Sequence, residues 1–162
     1  MIIVSNTSPI INLAVVEQLE LLRHLYGTII IPQAVYHEIV IRGYEQAGAT
    51  EIQTWRLFER RQVQDLALVR RLEQQLDIGE AEAIALAVEM HADLLLLDER
   101  RGRAAARQLG LAVTGLLGLL LVAKQQGHLV AVKPVLDALI TVAGFWIDEQ
   151  LYAQVLESAE ET

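Results

Sequence analysis

One carboxamide and three carboxylates stand where an α/β chain would do chemistry: Asn6 in VSNTSPII, Glu38 in IPQAVYHEI, Glu80 in LDIGEAEAIALA and Asp98 at the end of LLLLD. Asp98 closes the clearest apolar strand, residues 94–97, and Asn6 follows the first one. Side chains at the carboxyl ends of parallel strands border the crevice where ligands bind. An amide at position 6 can offer its carbonyl oxygen to a cation or a neighbouring acid, or it can turn the backbone where strand passes into helix. Glu38 is spaced three and four residues from Ala34, Val35 and Ile41, which puts a carboxylate on an apolar helix face or at its rim. Glu80 shares a stripe with Ile84, Ala87 and Val88, whereas Glu82 projects roughly 200° away, so only one of the two faces a common pocket. Two of these acids also have a purely structural explanation. Asp77 with Glu80 three residues later makes a capping box, and Asp98 is a preferred N-cap for a helix beginning at Glu99.

Gathered in one place, these groups would need a counterion. Two carboxylates about 4 Å apart repel by roughly 4 kcal/mol at an effective dielectric of about 20, so a three-acid cluster takes up protons or a cation. Oxygen ligands without cysteine, and with His24, His37, His91 and His128 scattered along the chain, select Mg²⁺ or Mn²⁺ over zinc. Beside Asp98, Arg100, Arg101, Arg103 and Arg107 could hold phosphates next to an acidic pocket, or form a solvated helix face.

The elements that must position these residues alternate. Short apolar runs at 2–4, 28–31, 94–97 and 111–113 read as strands. Helical patterns cover 8–25, 32–42, 66–76, 79–91 and 99–109, with Ser8–Pro9 and Pro32 as starts and Gly43 and Gly48 as breakers. Residues 50–63 fit neither period and are expected as mixed loop and short strand. Alternation of this kind predicts a parallel sheet covered on both faces. The remainder is helical, at 115–126, 134–142 and 148–158, with Gly127 as a stop and a frayed acidic end at 157–162. We therefore expect one domain over 1–162, an α/β core at 1–114 with a helical extension at 115–162 packed on it.

The 162 residues, 53% apolar, suffice for a full core. The net charge of −8 argues against attraction of a whole surface to phosphate backbones, so any nucleic-acid contact must be local. Absence of cysteine and of a signal-peptide pattern points to the cytoplasm. The most apolar run, 111–123, is too short for a membrane span of about 20 residues, so no membrane is involved. The turn SNTSP lacks the glycines that bring backbone to a pyrophosphate, which disfavours a dinucleotide site.

Together VSNTSPIINLA, IPQAVYHEI, LDIGEAEAIALA, and ADLLLLDERRGRAAARQLGL with TGLLGLLLVAK resemble the PIN-domain superfamily over almost the whole chain, in particular its bacterial and archaeal branch of unknown function with a helical C-terminal extension. The resemblance implies a three-layer α/β/α fold in which acids from four places bind Mg²⁺ or Mn²⁺ for cleavage of single-stranded RNA. Position by position, the first acid of that pattern falls on Asn6, the second on Glu38, the third on Glu80 and the fourth on Asp98. Thr7 and Ser8 fall beside the first, and Thr114 falls where a further polar residue approaches the metal. With Arg101 and Arg103 they form the implied substrate side. Related proteins resemble toxins bound by a small antitoxin, and commonly form homodimers or higher homo-oligomers. The family usually has Asp where this chain has Asn6. Two expectations follow: a slow metal-dependent endoribonuclease, or a catalytically impaired module that binds an antitoxin or oligomerises.

Overall fold

Runs of β-branched and leucine residues without polar alternation, IVS, IIIP and LLL, form strands that must be buried on both faces. In the computed structural model, which describes residues 1–43 and 47–161, they are β1 (Ile3–Ser5), β2 (Ile29–Pro32) and β4 (Leu94–Leu96). The edges are β3 (Phe58–Arg61) and β5 (Val113–Thr114). All pairings are parallel, in the order β3-β2-β1-β4-β5.

Successive strand side chains point to opposite faces, and the core divides accordingly. Ile3, Ile29, Ile31 and Leu96 pack with α1 (Thr7–Val15), α2 (Glu20–Leu25) and the last three helices, α8 (Leu116–Gln125), α9 (Lys133–Thr141) and α10 (Glu149–Ser158). Val4, Ile30, Leu95 and Leu97 pack instead with α5 (Leu66–Leu72), α6 (Ile78–Glu89) and α7 (Arg100–Gln108). The result is a three-layer α/β/α fold. Among the described residues, no helix is long and apolar enough to cross a membrane.

Several local expectations are corrected. The sheet has five strands: the short strand expected somewhere in 50–63 is FERR at β3, an edge strand that carries charge, and Arg60 lies with its guanidinium 4.0 Å from the Tyr36 ring centroid. The first helical run breaks after Val15, and Glu17 turns through φ 59°. The stretch from 49 to 54 is a helix, α4 (Ala49–Thr54), not loop. The run after Pro32 is a short helix, α3 (Gln33–Tyr36), widened into a π-helical turn at His37–Ile41, where Arg42 N–H donates to His37 C=O at 3.0 Å. Glu38 and Ile41 are both exposed, so the apolar face expected to carry Glu38 does not extend to Ile41. β5 begins two residues later than the apolar run suggested.

The acidic end is held, not frayed, as far as it is described; Thr162 lies outside the described residues. Glu161 accepts from Lys124 Nζ at 2.8 Å, Val132 N–H at 2.7 Å and Lys133 N–H at 3.0 Å, tying the chain end to α8 and α9. Lys124 Nζ also donates to the Ala159 carbonyl. Burial pushes the Glu161 carboxyl up, but these hydrogen bonds outweigh it and hold it at about 2.

Candidate functional site

The chain leaves β1 toward β2 and β3 on one side and returns at β4 and β5 on the other. The crevice outside the carboxyl ends of β1 and β4 is therefore the switch point at which open α/β sheets bind ligands. Asn6 and Asp98 flank it.

Asn6 is at the N-cap of α1, yet its side chain makes no capping bond. The residue is buried, and its Oδ1 has no hydrogen-bond partner. A turn-forming role for the side chain would have engaged that oxygen. Glu38 reaches the same place from the π turn, which widens the helix there. Its Oε2 accepts from Thr7 Oγ1 at 2.8 Å. A Cβ on Gly79 at the start of α6 would lie 3.1 Å from Glu38 Oε2, 3.4 Å from Asn6 Oδ1 and 3.5 Å from Asp77 Oδ1. Three oxygens from three elements thus converge on one point, and the missing side chain of Gly79 leaves them room.

Glu80 follows directly, only 8% exposed. Its Oε2 approaches α7, 3.3 Å from where a Cβ on Gly102 would sit. Burial first, then the negative charges of Asp77, Glu99 and Glu38, push its carboxyl up from 4.5 to about 7. Its partner in the sequence, Glu82, points elsewhere and accepts from Ala34 N–H at 2.9 Å, fixing the start of α3. Asn6, Glu38, Asp77, Glu80 and Glu99 line one cavity of about 250 Å³ with Thr7 and Ser8.

Asp98 is half-buried at the end of β4. Its Oδ1 accepts from Leu116 N–H at 2.8 Å, so it caps α8 and not the helix that follows it. Its Oδ2 is buried with no partner. Burial raises its pKa; the Leu116 hydrogen bond and the charge of Arg103 oppose the rise. Asp98 lines a neighbouring cavity of about 530 Å³ with Arg103 and Thr114. Arg101 faces away from both, beside Gln75 and Gln108.

Of the expected residues, the fold brings Asn6, Thr7, Ser8, Glu38 and Glu80 into one cavity, places Asp98, Arg103 and Thr114 in the next, and separates Arg101. Among the described residues, no group of three Asp, Glu, His or Cys side chains is close enough to hold a metal ion as they stand. Sequence reasoning treated Asp77 only as a cap and passed over Glu99. Both line the acidic cavity, and their adjacency to Glu80 and Asp98 was the available signal. The donor set is all oxygen, and Asn6 Oδ1 and Asp98 Oδ2 are buried without partners, which fits a hard divalent cation in chemistry.

No curated protein matches the chain. A family model, DUF3368, described as a PIN domain, matches residues 2–161. The chain belongs to this family of PIN domains.

Proposed function

We propose that the chain is a Mg²⁺- or Mn²⁺-dependent endoribonuclease acting on single-stranded RNA, working in the cytoplasm as the toxin of a toxin–antitoxin pair and as a homodimer or higher homo-oligomer. The observation that carries this reading is the buried, partnerless Oδ1 of Asn6 in a cavity shared with Glu38, Asp77, Glu80 and Glu99 at the sheet's switch point. Asn6, Glu38, Glu80 and Asp98 would hold the ion. When bound, it supplies positive charge that quiets the carboxylates and activates water for attack on a phosphodiester. Thr7 orients Glu38 by donating to its Oε2. The Leu116 N–H fixes one oxygen of Asp98 and leaves the other for the site. Without the ion, burial and the neighbouring acids push the Glu80 carboxyl up to about 7. Asn6 contributes a neutral oxygen where an acid would bind more tightly, so turnover is slow.

A second reading, an impaired module that binds a small antitoxin or its own copies, is favoured by Asn6 itself and by the lack of three converged acids among the described residues. The experiment that decides compares cleavage of single-stranded RNA with Mn²⁺ in the parent, Asn6→Asp and Asp98→Asn proteins, with calorimetric Mn²⁺ titration of each. Faster cleavage in Asn6→Asp and none in Asp98→Asn or with EDTA is expected. Cleavage that survives loss of Asp98 overturns the nuclease reading, and absence of Mn²⁺ binding in the parent leaves the interaction module.

A further inference from the structure

The larger cavity, on the far side of Asp98, has a chemistry of its own. Arg100, Arg103 and Arg107 are spaced three and four residues apart on α7 and so form one stripe, with neighbours about 5–6 Å apart at Cβ. All three line this cavity. Among the described residues none of them takes part in an ion pair; the ion-paired cations are Arg23, Arg61, Lys124 and Lys133. A row of arginines outside any ion pair, of which Arg103 is near enough for its charge to act on Asp98, is a concentrated positive feature in a chain of net charge −8 with 13 Lys and Arg. Its sign is opposite to that of the acidic cavity beside it.

The opposite wall comes from the helical extension. Leu151, Gln154, Val155 and Ser158 of α10 face the arginines across the groove, with Leu117 and Leu121 of α8 completing the apolar side. Leu151 remains 39% exposed. The groove thus offers guanidinium forks along one side, apolar surface along the other, and an amide and hydroxyls between them. A volume of about 530 Å³ falls within the range of roughly 300–1,000 Å³ usual for small-ligand pockets, room for a nucleotide. Arginine forks grip phosphate oxygens bidentately, while bases of single strands splay onto apolar or flat surfaces and are read along their edges by polar groups. Asp98 lines the groove as well, so the groove borders one of the residues proposed to hold the ion.

We propose that this groove binds the ribose–phosphate backbone and one base of single-stranded RNA next to the scissile position, which makes α10 a wall of the substrate site. The inference rests on the nuclease reading for its substrate class, but it is tested without cleavage. Arg100, Arg103 and Arg107 hold phosphates, and Leu151 with Gln154 takes the base.

The test is fluorescence anisotropy of a labelled, unstructured RNA oligonucleotide in EDTA, over a salt series, with the full chain. Three phosphate contacts to a single strand give a slope of log K against log salt of about −2, and Arg107→Ala, at an exposed position, should flatten it by about 0.7. Gln154→Ala should weaken binding several-fold and leave the slope unchanged. Arg70→Ala on α5, outside the groove, should bind as the parent does, and thermal melts confirm that each variant folds. A slope that Arg103→Ala and Arg107→Ala both leave unchanged overturns the proposal. So does equally tight, Arg107-dependent binding of polyglutamate, which would make the occupant an acidic peptide. RNA binding that depends on Arg107 in a protein that neither binds Mn²⁺ nor cleaves would keep this groove while refuting the metal-dependent reaction.

Discussion

Glu80 is held in the folded protein at a cost that its replacement should relieve. Its carboxyl titrates at about 7 in place of 4.5, because burial and the charges of Asp77, Glu99 and Glu38 disfavour ionisation. Between those two values the folded chain keeps a proton that the unfolded chain has released. Stability from this group is therefore complete below pH 4.5 and falls as pH rises to about 7, levelling above it. At 1.36 kcal/mol per pKa unit the fall amounts to about 3 kcal/mol, a large part of the roughly 5–15 kcal/mol that hold a domain folded. Glu80→Gln keeps the volume and cannot ionise. Urea unfolding in EDTA from pH 4.5 to 9 should give equal stabilities at the acid end and a gap in favour of the variant that grows to about 3 kcal/mol above pH 8. Asp98, also raised by burial, contributes to both proteins and cancels in the difference. Mn²⁺ should restore the parent by mass action and do nothing for the variant. Parallel pH profiles in the two proteins would refute the claim that Glu80 is an uncompensated buried acid.

Gly79→Ala puts a methyl among the oxygens of Glu38, Asn6 and Asp77, at 3.1 to 3.5 Å. Because alanine favours the helix by about 1 kcal/mol, stability should stay near the parent's while Mn²⁺ affinity by calorimetry falls; unchanged affinity would remove that cradle from the site. Glu161→Gln should lower thermal stability at neutral pH by on the order of 2 kcal/mol, the scale of a lost charged hydrogen bond. Its carboxyl sits at about 2 in the folded chain against an ordinary 4.5, so the stabilisation is present above 4.5 and lost as pH falls toward 2. The two proteins should converge in acid, and a gap that persists at pH 2 would show that the charge is not what ties the chain end.

The sheet's centre was legible because residues 3–4, 29–31 and 95–97 are apolar without alternation, and only strands buried on both faces need that. Its edges were not. FERR at β3 has one partner strand and turns charge to water, so periodicity that tracks burial could not fix its bounds. Likewise no rule of spacing anticipates a π turn. The 3.6-residue period placed Glu38 on an apolar face with Ile41, whereas both are exposed, and Glu38 meets Thr7 from a π turn at His37–Ile41.

The acids were legible in position but ambiguous in purpose, since Glu80 and Asp98 each had a capping explanation as good as a chemical one. The geometry makes the two purposes parts of one arrangement. Asp77 Oδ1 accepts the Glu80 N–H and still converges with Glu38 and Asn6 on the space above Gly79. Asp98 spends Oδ1 on the Leu116 N–H and leaves Oδ2 buried and unsatisfied. A carboxylate with one oxygen fixed to backbone loses its rotamer freedom before any ligand arrives, which is what preorganisation of a charged site requires. Capping that served helix stability alone would leave no second oxygen in a buried, partnerless state, because an unsatisfied buried acceptor costs about 1–3 kcal/mol. The orphaned oxygens of Asn6 and Asp98, on either side of the β1–β4 switch point, are the part of this structure that stability does not explain.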